Sequence, residues 1–383
     1  MTVTTSPSTI AYTDDRPSDR APTRPVDDDA NHPVTATDDG AVLDFMLPPE
    51  LEAHEPPEAA GRARDDVRLL VSPGVDAPID THVTRLPGHL RPGDLLVVNT
   101  SATVPAALDG RLPDGEPVAV HLATPLADGT WLVEVRRFAE GTTERLGRTV
   151  AGERVALPDG SWLDGLAPWR TSNRLTIAEL HLTDEVLAYL ARYGRAIRYQ
   201  HVPVPWPIDA YQTVFAEEPG SAEMPSASRP FTTELVTRLV SHGVGITPIT
   251  LHTGVSSLEG HEDPYPERYD VPAATAHRVA DAHRDARRVI AVGTTVVRAL
   301  ESAVDQTGRP VPAHGWTERV VSPEEPTQVV DGLITGWHEP RSSHLRLLEA
   351  VAGLPALELA YDQAIRLRYR WHEFGDLHLI LPA

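Results

Sequence analysis

The chain has 383 residues, enough for two domains, and its 34 basic side chains stand against 55 acidic ones for a formal charge of −21 at neutral pH. It contains no cysteine and every basic residue is arginine, which excludes disulfides, thiolate metal centres, cysteine nucleophiles, Schiff-base lysines and Walker-type phosphate lysines. So acidic a chain does not hold nucleic acid through bulk charge; contact with RNA requires a local arginine-lined patch.

Residues 1–40 hold eight Asp against three Arg, five Pro and almost no large apolar side chains, and are expected to form a disordered acidic tail. Folded sequence begins near Leu43. Apolar runs at Arg68–Ser72 and Asp94–Asn99 read as strands, the second introduced by the turn Arg91-Pro92-Gly93-Asp94. From residue 106 to residue 166 the texture becomes short alternating segments, Val118–Leu122, Thr130–Val135 and Thr149–Ala156, separated by Asp-Gly turns; this spacing predicts a small inserted β-barrel or sandwich, of which the barrel is taken as the expectation. Helices are expected over Thr183–Arg192 with Thr183 as N-cap, Thr232–His242, Ala273–Ala286, Thr295 to about Val304, and Ser343–Ala352. Strands are expected at Gly245–His252, Arg288–Val292 and Val329–Ile334. The alternation predicts an α/β fold with a mostly parallel sheet and flanking helices, a discontinuous domain of residues 41–105 and 167–383 around the barrel insertion. With no apolar run of about 18 residues and no basic leader before an apolar core, a cytoplasmic protein without membrane contact is expected.

Four stretches gather side chains suited to chemistry. Asn99-Thr100-Ser101-Ala102-Thr103 follows a buried run, where α/β folds bind ligands, or else is a polar turn capping its own backbone. Ala210–Phe231 is a long Gly-, Pro- and Ser-rich loop in which Tyr211, Gln212 and Thr213 either line a pocket or stitch the loop. Gly293-Thr294-Thr295 joins a buried strand to a helix and aims backbone N–H groups at whatever lies above the strand; Arg298, one turn on, faces the site or pairs with Glu301. Trp337-His338 follows another strand, and His338 is suited to titrate near neutral pH. Phe374-Gly375-Asp376 places a carboxylate before the last strand. There is no His-Glu-x-x-His, Gly-x-Gly-x-x-Gly or Gly-x-Ser-x-Gly pattern, and no metal site is expected.

Taken in order, these stretches resemble the S-adenosylmethionine:tRNA ribosyltransferase-isomerases of queuosine biosynthesis. The resemblance is carried by Asp44-Phe45 with Leu47–Leu51, Leu90–Asn99, Tyr211–Phe215, Thr250–Gly254, Ala291–Ser302, Val330–Thr335 and Phe374-Gly375-Asp376, and spans about Leu43 to Ile380. The chain departs from the family pattern at Thr100–Ala102, where an arginine is missing. It departs again at Met224–Phe231 and Pro264–Glu267, which each lack a histidine, and at Ser322–Glu325. The resemblance implies transfer and isomerisation of the ribosyl part of S-adenosylmethionine onto the aminomethyl group of a modified guanine in tRNA, giving epoxyqueuosine, without a metal. It implies His252, His338 and Asp376 as catalytic candidates, and Tyr211, Gln212, Thr213, Gly293, Thr294, Thr295 and Arg298 as cofactor-binding ones. A paralogue acting on a small-molecule amine and a non-catalytic nucleoside-binding protein remain as alternatives, and a monomer is expected. The acceptor, the identity of the base and the role of the tail are open at this point.

Overall fold

The computed structural model describes residues 35–36, 43–139, 141–255, 264–317 and 319–382. Thr35–Ala36 (β1) pairs antiparallel with Leu43–Asp44 (β2); the rest of the expected tail, residues 1–40, lies outside the described residues. Next come β3 (Arg68–Pro73), β4 (Ile79–His82), β5 (Leu95–Asn99) and the short β6 (Ser101–Thr103). A run of strands without a helix follows: β7 (Ala107–Arg111), β8 (Pro117–Pro125), β9 (Trp131–Ala139), β10 (Thr142–Arg145), β11 (Arg154–Ala156), β12 (Trp162–Pro168) and β13 (Leu175–His181). Helices then enter: α1 (Val186–Tyr193), β14 (Glu218–Ser221), α2 (Thr233–Ser241), β15 (Gly245–Leu251), β16 (Arg268–Val271) and α3 (Ala273–Arg284). The chain ends with β17 (Val289–Val292), α4 (Thr294–Ser302), β18 (Ala313–Trp316), β19 (Gly332–Gly336), α5 (Ser343–Ala352), α6 (Leu354–Arg366) and β20 (Leu377–Leu381). Among the described residues no helix is long and apolar enough to cross a membrane.

Nine strands form one mixed sheet in the order β18-β16-β15-β5-β17-β19-β20-β3-β4. Its centre, β15-β5-β17-β19, is parallel, and β20 runs parallel to β3. The remaining neighbours are antiparallel. The parallel character read from the sequence thus belongs to the centre. Both faces are covered, which is why the central strands read as unbroken apolar runs. Leu95, Val97, Val289 and Ala291 face the core under α3, α4, α5 and α6, whereas Leu96, Val98, Ile290 and Val292 face the core under α2 and Phe231. This is the period of two expected for strands.

A seven-stranded antiparallel sheet closes on itself through β8 and β9, so that six strands make a barrel and β10 extends β9. Its strand β13, between β9 and β12, lies beyond residue 166, the limit expected for the insertion, and α1 packs Tyr189 and Leu190 into the same core. Helix α1 starts later than expected. Thr183 is drawn away from capping by bonds from its N–H to Ser161 Oγ (3.1 Å) and from its hydroxyl to Asp159 (3.3 Å), and Glu185 takes the cap position. By contrast, Thr232 caps α2 as the sequence implies, accepting from Leu235 N–H at 3.1 Å.

Barrel closure depends on a close approach at Gly165, where β12 is bulged. Its carbonyl accepts from Gly152 N–H at 2.7 Å, its N–H reaches Glu153 O at 2.9 Å, and an added Cβ would run into the Val150 carbonyl oxygen. Gly165→Ala should therefore lower stability by about 2–3 kcal/mol, read from the urea midpoint.

Candidate active site

The strands β15, β5, β17 and β19 end along one edge of the large sheet, the edge where parallel sheets open onto ligands. β5 stops at the fully buried Asn99. Its Oδ1 accepts from the N–H groups of Ser101 and Leu251, both at 3.0 Å, and its Nδ2 donates to Leu251 O at 2.8 Å. The carboxamide stands in for a further backbone unit of the ladder. It fixes Ser101 on β6 and Leu251 at the end of β15, and so the position of His252, which follows directly.

Ser101 Oγ lies 2.7 Å from His252 Nδ1 and 2.7 Å from Ser221 Oγ, and Ser221 Oγ accepts from Thr253 N–H at 3.0 Å. The parallel pairing of β14 with β6 brings Ser221 there, and glycine at 220 makes room for the imidazole: a Cβ at that position would overlap the His252 ring. Burial first, and then Arg268, push the His252 pKa down to about 4, so the ring is neutral at physiological pH. Hydroxyl donation along Ser221, Ser101 and His252 satisfies the chain in either direction, which lets Nε2 act as acceptor or as donor.

At the end of β17, Gly293 adopts φ +101°, a conformation that L side chains rarely take, and its N–H reaches Ile334 O at 2.8 Å. Val296 and Val297 N–H return to Gly293 O, leaving the Thr294 and Thr295 N–H groups at the positive head of α4. Thr294 is buried and Thr295 half-buried, with Ala227 of the 210–231 loop beside Gly293. The other end of that loop forms a wall against β6. Thr103 donates its hydroxyl to Tyr211 O at 2.8 Å, and Gln212 pairs with Thr103 through both amide atoms, Oε1 to N–H at 3.0 Å and Nε2 to O at 2.8 Å. The Gln212 amide therefore stitches the loop. Thr213 Oγ1 is likewise used internally, accepting from Phe215 N–H at 3.3 Å. The Tyr211 ring packs on Phe374 with its hydroxyl buried and unpartnered among the described residues, and burial raises its pKa.

His338, after β19, places Nε2 3.0 Å from Thr335 Oγ1 and stacks on His344 of α5, centroids 4.6 Å apart. Burial and then the neighbouring His344, His372 and His378 hold its pKa well below the ordinary value, so it is a neutral group rather than one titrating near pH 7.

Two expected site residues have other work. Arg298 pairs with the buried Glu267 rather than with Glu301, and donates to Tyr265 O (2.9 Å) and Thr317 Oγ1 (2.8 Å). Glu301 is instead occupied by the N–H groups of Gln328, Val329 and Val330. Asp376 accepts from Arg68 N–H at 2.7 Å and Arg370 N–H at 2.8 Å, a buried staple whose pKa burial raises. Neither carries a free charge toward the edge.

The chain matches the family described as queuosine biosynthesis protein over residues 41–380. This chain belongs to that family. It is 36% identical over 356 residues to the S-adenosylmethionine:tRNA ribosyltransferase-isomerase of Carboxydothermus hydrogenoformans, covering 88% of this chain and 98% of that protein. It is 35% identical over 360 residues to the protein of the same description from Synechococcus elongatus, covering 88% and 95%. A crystal structure of S-adenosylmethionine tRNA ribosyltransferase from Thermotoga maritima matches at 28% identity with a TM-score of 0.49, over 88% of this chain and 99% of that one.

For this member of the queuosine biosynthesis family, the hydrogen-bond partners of His252 were not legible as partners. The hydroxyl-rich run after β5 marks Ser101 as a residue of interest, but Ser221 lies 120 positions away in a loop without periodicity. The Arg298–Glu267 pair joins residues 31 apart.

Because Glu267 is buried with Arg298 as its counter-charge, Arg298→Ala should cost about 3–5 kcal/mol of unfolding free energy in urea, and combining it with Glu267→Gln should recover part of that loss. The acid response follows from the histidines. His121, His372 and His378 are lowered to about 3, and His252 and His344 to about 4, mainly by burial. Their folded-state pKa values lie below the unfolded value, so their contribution is full above it and is lost as pH falls toward 4 and 3. The raised carboxyls of Glu267 and Asp376 act in the opposite sense, as does the raised pKa of His201. The five histidines outnumber them, so unfolding should take up protons and stability should drop between about pH 6.5 and about pH 4, measured by urea unfolding across that range.

Proposed function

We propose that this protein transfers and isomerises the ribosyl moiety of S-adenosylmethionine onto the aminomethyl group of a modified guanine in tRNA, forming epoxyqueuosine and releasing adenine and methionine. The observation that carries the reading is the family match over residues 41–380 coinciding with a hydrogen-bonded Ser221–Ser101–His252 chain at the carboxyl edge of the parallel strands. Relatives bearing this description cover nearly their whole length with this chain, which supports extending their activity to it.

S-adenosylmethionine supplies its own activation: the sulfonium acidifies the neighbouring C5′ protons and makes methionine a good leaving group. What the reaction asks of the chain is a positioned proton carrier, a hold on the anionic part of the nucleoside, and a pocket that excludes water. In this reading His252 moves the proton at Nε2 while Ser101 fixes Nδ1. The Thr294 and Thr295 N–H groups and the Thr295 hydroxyl hold a carboxylate or ribose hydroxyl of S-adenosylmethionine, and Tyr211 walls the pocket while Gln212 and Thr213 keep the wall in place. His338, neutral and fixed by Thr335, is the second candidate for proton transfer, toward the departing adenine.

The test is adenine release from S-adenosylmethionine with precursor tRNA as acceptor, followed by mass spectrometry of the tRNA. His252→Ala should lower kcat by about 10²–10⁴-fold, with Ser101→Ala causing a smaller loss in the same parameter. Adenine release that proceeds with small amines and is not stimulated by tRNA would move the acceptor to a small molecule. Absence of release with any acceptor would overturn the enzymatic reading.

A further inference from the structure

One face of the barrel carries a cavity of about 770 Å³ that the reaction above does not use, within the size range of small-molecule sites. It is lined where β7, β8, β9 and β10 meet the segment after α1. Arg111, Arg195 and Arg198 line it against one carboxylate, Asp109, in a chain that is otherwise strongly acidic. Arg111 uses one of its five donors on Gly115 O (3.2 Å). Arg195 pairs with Asp109 at 2.6 Å and lies 5.7 Å over the ring of Phe138, which is 41% exposed at the rim. Arg198 is tied to the carbonyls of Val202 and Gly141 and holds the wall.

His121 and Thr142 belong to the cavity wall, with His121 Nδ1 and Thr142 Oγ1 sealed behind its surface and without a hydrogen-bond partner among the described residues. His121 is 1% exposed. What the cavity presents to a ligand is its guanidinium groups and the exposed ring of Phe138 at the rim. The site is also in touch with the sheet edge: the His121 ring packs edge-on against Tyr199, whose hydroxyl donates to Glu223, two residues after Ser221.

We propose that this cavity receives a nucleotide of the RNA acceptor flanking the reacting base, its phosphate on Arg111 and Arg195 and its base stacked on Phe138. Guanidinium groups grip phosphate, and an exposed aromatic ring accepts any base face, so this patch suits the RNA that the bulk charge repels. The proposal rests on tRNA being the acceptor.

The experiment measures binding of fluorescently labelled precursor tRNA by anisotropy at low and moderate salt, with the wild type, Phe138→Ala and Arg111→Glu, alongside tRNA-dependent adenine release. Both altered side chains are exposed, and retained melting midpoints show that the variants fold. Each substitution should weaken tRNA binding by about tenfold and raise the KM for tRNA more than it lowers kcat, with the salt dependence flattened in Arg111→Glu. Wild-type affinity in both variants, while the wild type still modifies tRNA, would overturn the cavity assignment and leave the activity standing. A wild type that releases no adenine with tRNA would instead fail the underlying reading. If guanosine monophosphate binds and both substitutions abolish that binding without touching tRNA affinity, the occupant is a free nucleotide and the RNA assignment falls.

Discussion

The carboxyl edge of the sheet is held open by the side chain of Asn99. Where β5 ends, its neighbour β15 runs on to Leu251, whose N–H and carbonyl would face an empty ladder position. The Asn99 carboxamide takes both, and the Ser101 N–H as well, from a fully buried position. Three backbone groups left without partners there would each cost about 1–3 kcal/mol. Aspartate offers no donor for Leu251 O, and leucine offers neither donor nor acceptor. The spacing between Ser101 and His252, and through Ser221 the course of the 210–231 loop, follows from this one side chain.

A chain without lysine meets every buried cation requirement with guanidinium, and this sets where its arginines go. A fork with five donors serves several acceptors at once. Arg298 ties Glu267, Tyr265 O and Thr317 together. Arg229 holds Glu58 and Ala210 O and lies 5.0 Å over Phe374. Arg288 clamps Asp94 beneath β5. The arginine that the sequence placed at the head of α4 is thus drawn into the fold as the counter-charge of a buried carboxylate 31 residues away. At the sheet edge, Arg298 is thus not available, and the groups beside the Gly293 turn and His252 are backbone dipoles and neutral imidazoles, with Arg268 acting on His252 through its charge.

The central strands and α2 to α5 were readable because their patterns are local: unbroken apolar runs for strands covered on both faces, Thr232 for a cap, Gly293 for a strand-to-helix turn. The barrel was readable as a texture but not in extent. β13 lies past the loop at Arg170–Ser172, and only Arg154–Ala156 of the expected 149–156 strand is paired, since Gly152 turns the chain at φ +80°. At the site, residue types were legible and their roles only in part. His252, singled out by the family resemblance and expected as the last residue of a strand, stands directly after β15 at the edge, and the Gly293-Thr294-Thr295 turn heads α4. Gln212, Arg298 and Asp376 carry polar groups of the right kind, yet their partners are backbone groups or charges brought in by tertiary pairing, which no spacing along the chain encodes.

The electrostatics join these parts. In the proposed reaction the nucleoside is a sulfonium cation, and a charged imidazole beside it would be repelled; burial keeps His252 neutral before any substrate arrives, while the acidic chain as a whole draws a cation toward it. The same field opposes a polyanionic RNA, so the two substrates make contrary demands on one surface. A fold that segregates them answers both: the sheet edge presents helix-head N–H groups and neutral rings, and Arg111, Arg195 and Arg198 line a separate concavity on the barrel. The contacts from His121 through Tyr199 and Glu223 to the strand bearing Ser221 then give these two environments a shared framework, since neither His121 nor Ser221 can move far without disturbing the residues packed between them.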